Sequence, residues 1–298
     1  MKKENTLRRV LCYGILGVDQ LVQIAHLPEQ DGHTRVFHDE EYIGGEAANT
    51  ATILSDLGVD VRLMGNALGD DRRGAFFLRA IQDYAVDVRG IDVEKSVRTG
   101  HAIVLSDSEG ARSICGFFPD LRSRALCAHD LEGIALLSVD PFLGEHAVEA
   151  ARLAKEMGVS VFSIELGPDH PMAPYCDLVI NSAGFMRRHE MGDPTDVAVE
   201  LLKAGVETVV LTRGKHGCRV FQDNGSSFEQ AAYAVDVCDT TGAGDGFRAG
   251  LIYGYLKGWT LTRSVQFASG CAALACTKIG GAGHGVREDQ ILDLISET

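Results

Sequence analysis

The run Asp239–Gly246 (DTTGAGDG) combines small residues with carboxylates in a pattern that suits phosphate chemistry. Small residues at Gly242, Ala243 and Gly244 let a ligand approach the main chain, and N–H groups at a helix start attract anions. Asp245 would lie in the first helical turn. A carboxylate there either caps the helix or accepts a proton from a nucleophile that attacks a bound phosphate. Both interpretations stay open on local grounds.

A second glycine motif, Gly44–Asn49 (GGEAAN), precedes another helix-like segment. Gly44 and Gly45 would allow close approach of a ligand to the backbone, and Asn49 offers a donor and an acceptor to hydroxyl groups. Asp19 follows the first strand and could accept hydrogen bonds from two sugar hydroxyls. The alternatives are a simple glycine turn with an exposed Asn, and a capping Asp in a loop.

Alternating strand-like and helix-like segments would position these motifs. Such alternation indicates an α/β fold in which a mainly parallel sheet is covered by helices on both faces, and several helices end at a glycine. The predicted strands are Val10–Leu16, Val61–Asn66, Ile134–Ser138, Val159–Ile164, Leu178–Asn181 and Thr208–Thr212. The predicted helices are Ala47–Leu57, Asp71–Tyr84, Glu145–Met157, Asp196–Ala204, Ala243–Lys257, Thr262–Thr277 and Glu288–Ser296.

Two stretches, Arg35–Tyr42 and His101–Phe117, interrupt this alternation, because they are strand-like without intervening helices. The second contains a turn-rich loop at 106–110 and therefore predicts a hairpin. We expect one domain over residues 1–298, with lid strands at about 33–44 and 98–118 inserted in it. A further strand is predicted at Tyr233–Val237, and a tight turn between two strands at Asp223–Gly225.

Composition excludes several classes of protein. The 298 residues carry 28 Lys and Arg against 42 Asp and Glu, a net charge of −14 that disfavours binding to nucleic acid or anionic membranes. No apolar run reaches membrane length, and the apolar start at Val10 predicts a core strand, not a signal peptide. Eight cysteines without a C-x-x-C pair indicate thiols in a reducing cytoplasm. P-loop and Rossmann glycine motifs are absent from the sequence.

Together, the two glycine motifs, about 200 positions apart, resemble the paired signatures of the ribokinase-like (PfkB) carbohydrate kinase family. Gly69–Gly74, Leu211–Gly217 and Lys278–Gly283 resemble further segments of that family. The resemblance covers nearly the whole chain. It implies a three-layer α/β/α fold with a β lid over the sugar, and the lid often mediates homodimer contacts in relatives.

The resemblance also implies roles for individual residues in an ATP-dependent sugar kinase. Asp245 would be the catalytic base, and the amides of Gly242, Ala243 and Gly244 would hold the transferred group. The residues expected to bind the sugar are Asp19, Gly44, Gly45, Asn49 and Asp140. Those expected along ATP are Asn181, Thr212, Gly214, Gly217, Gly242 and Gly244. Mg²⁺ would accompany ATP, and a K⁺ site could involve Asp239, Thr241, Cys276, Ile279, Gly281 and Gly285.

Two departures from the family pattern bear on the metal and the phosphates. Relatives often carry Asn-x-x-Glu to order the Mg²⁺ shell, but here Asn181 is followed by Gly184 at the Glu position, which leaves Glu165 as a candidate acid. Arg248 is expected to be a solvated helix residue, with a cation near the phosphates as the alternative. The leading hypothesis is therefore a kinase of a small sugar or sugar acid. A nucleoside kinase and a catalytically silent binding protein remain open.

Overall fold

The computed structural model describes residues 9–107, 112–119, 121–282 and 285–297. Its strands are β1 (Arg9–Gly14), β2 (Gly17–Ile24), β3 (Val36–Gly44), β4 (Val61–Gly65), β5 (Leu68–Gly69), β6 (Val86–Asp87), β7 (Val93–Glu94), β8 (His101–Ser106), β9 (Arg112–Phe117), β10 (Ile134–Val139), β11 (Ser160–Ile164), β12 (Leu178–Ser182), β13 (Thr208–Thr212), β14 (Cys218–Gln222) and β15 (Ser227–Gln230). Its α-helices are α1 (Glu46–Asp56), α2 (Arg72–Ala80), α3 (Glu145–Glu156), α4 (Ala183–Arg188), α5 (Pro194–Lys203), α6 (Ala243–Leu256), α7 (Leu261–Ala275) and α8 (Glu288–Ser296).

The large sheet has nine strands in the order β15-β14-β13-β12-β11-β10-β1-β4-β6. All neighbouring strands from β13 to β6 pair in parallel. At the other edge, β13 pairs with β14 and β14 with β15 in antiparallel orientation. Helices α1, α6, α7 and α8 pack their apolar residues on one face, and α3, α4 and α5 on the other. The predicted three-layer α/β class is confirmed.

Strand β1 shows why the sheet needs helices on both sides. Val10 and Cys12 belong to one core, while Leu11 and Tyr13 belong to the opposite core. Side chains alternate across a strand, so a continuous apolar run buries both faces only when each face is covered. The apolar sequence of β1 therefore specifies a central position in the sheet.

A second sheet of four strands, in the order β3-β2-β8-β9, lies outside the large sheet. Strands β3, β8 and β9 fall within the two segments for which lid strands were predicted. Strand β2 was missed, because the residues after the first strand were interpreted as a loop. The strand predicted over Val10–Leu16 ends at Gly14 in the structure, and the next strand, in the lid, begins at Gly17. Residues 108–111 of the predicted hairpin turn lie outside the described residues.

The segment before α6 differs from the prediction. Tyr233–Val237 forms no strand, and Val237 is 55% exposed. Alternating Tyr and Val suggested a strand, but no described strand lies beside this segment to pair with it. The predicted turn at Asp223–Gly225 does connect β14 to β15, with Gly225 at φ +83°. No α-helix in the described ranges is long and apolar enough to cross a bilayer.

Candidate active site

The carboxyl ends of the parallel strands meet along one edge of the large sheet. Asp140 directly follows β10, Glu165 follows β11, and Ser182 at the end of β12 is in register with Thr212 at the end of β13. In open α/β sheets this edge is the usual place for a ligand crevice. The predicted sugar residues lie toward β1 and β10, and the predicted nucleotide residues toward β12 and β13.

Asn49 and Asp245 come together although 196 positions separate them in sequence. The Asn49 Nδ2 donates a hydrogen bond of 2.9 Å to Oδ2 of Asp245. Helices α1 and α6 pack side by side, and both residues lie in the first turns of their helices. The Oδ1 of Asn49 is buried without a hydrogen-bond partner in the described part of the chain. This acceptor is therefore available to a ligand hydroxyl.

The glycines before α1 hold Asp19 against this pair. Gly45 adopts φ +96°, and a Cβ there would collide with the carbonyl of Ile15. A Cβ at Gly44 would collide with the carboxylate of Asp19. Gly45 does not tolerate a side chain because the backbone of Ile15 lies against it, whereas a side chain at Gly44 would displace the carboxylate of Asp19. The structure thus brings Asp19, Gly44, Gly45, Asn49 and Asp245 into one site.

The carboxylates of this site titrate close to neutral pH. Burial raises the pKa of Asp245 to about 7, while the Asn49 hydrogen bond and the charge of Arg248 oppose that rise. Burial also raises the pKa of Asp19 to about 7, and Arg112 opposes it. For Glu46, burial and then the charges of Asp140 and Asp245 raise the pKa to about 8. A carboxylate with a pKa near the working pH suits a general base.

The start of α6 forms a cradle that fits an anion. Gly242 begins the helix in the left-handed conformation at φ +76°, and a Cβ there would collide with Gly281. The amide of Ala243 donates weakly to Thr240 O at 3.3 Å. Within the described residues, the amides of Gly244 and Asp245 have no acceptor, and a Cβ on the exposed Gly244 would meet no atom within 4 Å. Unpaired helix-start amides facing open space are an anion site.

Arg248 contradicts the favoured prediction of a solvated helix residue. Its side chain is 0% exposed, and its Nη1 lies 2.5 Å from Oδ1 of Asp140, which is also 0% exposed. The backbone N–H of Ile15 donates to Oδ2 of the same Asp140 at 2.8 Å. Arg248 lies on the face of α6 that packs against the sheet, so it can pair only with an acid at a strand end. Asp140 is fully buried among these contacts, and its contact with a sugar stays a prediction.

The predicted nucleotide residues lie further along the edge. Gly214 and Gly217 have positive φ angles of +56° and +76° in the turn after β13, next to Thr212. Asn181 is fully buried, and its amide joins β12 to the neighbouring connection through the backbone N–H and carbonyl of Leu166. Its side chain supports the crevice from below.

The predicted K⁺ ligands come from two loops that are already tied together. Asp239 accepts from the N–H and hydroxyl of Thr241 and from the N–H of Gly280, while the Cys276 carbonyl accepts from the N–H groups of Cys238 and Asp239. Ile279 packs against the lid, Gly281 lies against Gly242, and the N–H of Gly285 bonds to Asp56. Residues 283 and 284 lie outside the described chain. No group of three or more His, Cys, Asp or Glu residues suited to a metal occurs in the described ranges.

Two residues escaped the sequence-based prediction. Arg112, on lid strand β9, donates from Nη1 to the carbonyl of Thr240 at 3.0 Å and so bridges the lid to the loop before α6. The alternation of side chains along β9 would have indicated the position of Arg112 only if β2 had been recognised as a lid strand. The sequence gives no role to Glu46 in the Gly44–Asn49 motif, although the charges of Asp140, Asp245 and Glu165 act on its carboxyl group. Glu165 itself has φ +51° and lies 3.4 Å from Arg188.

Comparisons with known proteins bear on the family and the fold of this chain. The sequence model of the pfkB family carbohydrate kinases matches residues 7–286. An ATP-dependent ribose-1-phosphate kinase from Halopiger xanaduensis is 28% identical over 297 residues, covering 97% of this chain and 98% of that protein. A nucleoside kinase from Methanothermobacter thermautotrophicus is 26% identical over 285 residues, covering 89% and 88%.

The same fold occurs in the solved structure of Arabidopsis thaliana ribokinase complexed with ribose and ATP. The TM-score is 0.79 at 20% sequence identity, with 97% of this chain and 98% of that chain covered. The family model spans far more than half of the sequence. The chain therefore belongs to the pfkB family of carbohydrate kinases and is a phosphotransferase.

Proposed function

We propose that this chain transfers the γ-phosphoryl group of ATP to a hydroxyl of a small sugar or sugar acid. The observation that carries the proposal is the position of Asp245. Its carboxylate is held by Asn49 in the same helical turn whose N–H groups face open space. A base and an anion cradle on one turn suit an in-line attack of a hydroxyl on a phosphoryl group.

In this mechanism, the chain's own residues orient the acceptor and move its proton. Asp19 and the free Oδ1 of Asn49 accept hydrogen bonds from sugar hydroxyls, and Asp245 accepts the proton of the attacking one. The amides of Gly242 and Gly244 stabilise the negative charge of the transferred group. Bound Mg²⁺·ATP would supply that group and neutralise part of its charge. The lid covers the acceptor and excludes water, which would otherwise compete for the phosphoryl group.

ATP would lie along Thr212, Gly214 and Gly217, where positive φ angles turn the backbone around the end of β13. Asn181 would support this position through Leu166 without touching the nucleotide. With Gly184 in place of the family's Glu, we assign the acid that orders Mg²⁺ waters to Glu46 or Glu165. The charge of Glu165 contributes to the raised pKa of Glu46, and Glu165 follows β11 at the carboxyl edge of the sheet.

A K⁺ ion would have to compete for acceptors that already hold the loops at Asp239 and Cys276 together. We include this site in the proposal because the Gly280 N–H bonds to Asp239 and the Gly281 carbonyl lies against Gly242, so the two loops meet there. Comparison of turnover in K⁺ and in a bulky organic cation tests it. Equal rates would remove K⁺ from the account.

A homodimer through the lid is also part of the proposal. Ile103 and Phe117 lie on the face of the lid that points away from Asp19, and each is 37% exposed. A second copy of the chain would cover this apolar face. Light scattering on the purified protein gives the mass in solution. A monomer at micromolar concentration would remove the dimer.

An assay for ATP-dependent ADP release across pentoses, hexoses, ketoses, sugar acids and nucleosides tests the function. We expect ADP and phosphorylated sugar in equal amounts. Preferred transfer to nucleosides would support the nucleoside kinase that the Methanothermobacter relative suggests. The absence of transfer to every acceptor, with binding of sugar or ATP retained, would favour a silent binding protein.

A further inference from the structure

Arg112 lies on the face of the lid that covers the acceptor site. In the lid register, Asp19 pairs with Ala102 and Ala102 pairs with Gly116. Paired residues share a face, and residues four apart on one strand share it too, so Arg112 and Gly116 face the same side as Asp19. The Nη1 contact with Thr240 O at 3.0 Å confirms that the guanidinium reaches the loop before α6.

This guanidinium has a positive charge without an ion-pair partner. Within residues 9–107, 112–119, 121–282 and 285–297, no carboxylate lies within salt-bridge distance of Arg112, and its one hydrogen bond goes to a neutral carbonyl. Arginine has five N–H donors in a planar fork, so most of them are free. The side chain is exposed, and those donors are accessible to a ligand under the lid.

The surroundings of Arg112 are acidic. Its charge opposes the rise in pKa that burial causes at both Asp19 and Asp245. Arg112 therefore acts on the acceptor pocket and on the base together. Asp19, Asn49 and Asp245 recognise hydroxyl groups, but they repel or fail to stabilise an anion. Arg112 supplies the charge that these three residues do not.

We propose that Arg112 binds a carboxylate or phosphate carried by the acceptor, so that this kinase acts on anionic sugars in preference to neutral ones. The inference rests on the proposed function, because it assigns the class of the acceptor. A planar guanidinium matches either group through two parallel hydrogen bonds. Asp19 and Asn49 would hold the hydroxyls, and Arg112 would fix the orientation of the charged end.

Calorimetric titration without ATP tests the proposal independently of turnover. The probes are two matched pairs, D-ribose with D-ribose 5-phosphate and D-glucose with D-glucuronate. We expect the wild-type chain to bind at least one anionic member at least tenfold more tightly than its neutral partner, the scale of a charge-assisted hydrogen bond. Arg112→Gln should abolish the preference, and Arg112→Lys should keep part of it.

Arg98→Gln is the matched control, because it removes the same charge from the same lid. Arg98 lies 4.8 Å from the ring of Phe117, on the opposite face from Arg112. We expect its preference for the anionic sugar and its ATP affinity to equal those of the wild type. Loss of the preference in Arg98→Gln as well would show that the net charge of the lid matters and not the position of Arg112.

Three results would overturn the proposal. The wild-type chain could bind each neutral sugar as tightly as its anionic partner. Arg112→Gln could weaken both members of a pair equally. It could also weaken ATP and leave the acceptor preference intact, which would assign Arg112 to the γ-phosphate. Phosphoryl transfer is measured separately: anion preference without transfer would remove the kinase proposal and keep the anion site, and transfer to neutral sugars alone would do the reverse.

Discussion

The surroundings of Asp245 contain groups that favour the charged form of its carboxyl group and others that favour the neutral form. Burial favours the protonated form and raises the pKa to about 7, while the amide of Asn49 and the guanidinium of Arg248 favour the ionised form. The native state therefore binds this proton more tightly than the unfolded chain does between about pH 4 and pH 7. Folding becomes less favourable as the pH rises through that window, which is a cost accepted for a base that works near neutrality.

Asn49 is expected to serve both the sugar and the base. Asn49→Ala should weaken sugar binding by about 1–3 kcal/mol, because the partners of its amide are left unpaired. It should also raise the pH at which turnover is half-maximal, since its hydrogen bond lowers the pKa of Asp245. Asp19→Ala should weaken sugar binding by a similar amount without that change in the Asp245 pKa.

Titration of sugar and ATP, with pH profiles of kcat, separates these effects. ATP affinity should survive in both variants, and Asn224→Ala in the exposed β14–β15 turn is the control. If ATP affinity falls and sugar affinity does not, the acceptor pocket lies on the wrong side of the crevice.

The two glycines at the start of α6 should respond differently. Gly244→Val would fold normally, because a Cβ there meets open space and no positive φ is required. It should lose most of its activity, because the branch would occupy the anion site. At Gly242, by contrast, φ is +76° and Gly281 is in contact, so a side chain there would strain the turn.

Gly242→Val should therefore lower the melting temperature, whereas Gly244→Val should not. Thermal melts and turnover numbers of the two proteins check this difference. A fully active Gly244→Val enzyme would argue against the anion cradle.

At the scale of elements, a buried ion pair connects α6 to the end of β10. Arg248 and Asp140 are both inaccessible to solvent, and the Nε and Nη2 of Arg248 have no partner within the described residues. A buried charge without its partner is costly, whereas an apolar pair of similar volume is often neutral. The pair therefore positions Asp245, three residues earlier on α6, more than it stabilises the fold.

Asp140→Leu should destabilise the protein by about 3–5 kcal/mol, because it leaves the Arg248 charge buried alone. The double variant Asp140→Leu/Arg248→Met should recover most of that loss. Chemical denaturation of the wild type, the single variants Asp140→Leu and Arg248→Met, and the double variant measures the coupling. Additive losses in the double variant would show that the two side chains do not act as a pair.

Most elements were predictable because their patterns are local. Thr208–Thr212 and Glu288–Ser296 have the predicted bounds, and the other predicted helices and large-sheet strands occur with ends shifted by a few residues. Strand β2 was not predictable, because its identity depends on pairing with β3 and β8, which are distant in sequence. The strand predicted at Tyr233–Val237 does not form for the converse reason: the segment has a strand pattern but no neighbouring strand. The burial of Arg248 is set by a partner 108 positions away.

At the scale of the molecule, the crevice concentrates carboxylates in a chain of net charge −14. Asp19, Glu46 and Asp245 all have raised pKa values, and the family's metal-ordering Glu is replaced by Gly184. The resemblance to the family motifs predicts the catalytic carboxylate and the glycine cradle from the sequence. The electrostatic balance among these acids required their positions in the fold.

Mg²⁺ should be required but weakly bound, saturating at about millimolar concentration, because ATP holds it with few protein ligands. Gly184→Glu should lower the half-saturating Mg²⁺ concentration several-fold. A Cβ there has Arg188 Nη1 no closer than 3.5 Å, so the side chain fits. Either Glu46→Gln or Glu165→Gln should raise the half-saturating concentration. Full activity in EDTA would contradict the metal argument.

The central claim is that Asp245 removes the proton of the acceptor hydroxyl, and Asp245→Asn tests it most directly. The measurement is kcat for ATP-dependent sugar phosphorylation from pH 5 to pH 9, with sugar and ATP affinities measured separately. We expect wild-type kcat to rise with pH to a plateau, half-maximal near the pKa of about 7. Asp245→Asn should be at least about a hundredfold slower with no such rise, both affinities nearly unchanged and stability no lower above pH 7. Wild-type turnover in Asp245→Asn would contradict the account.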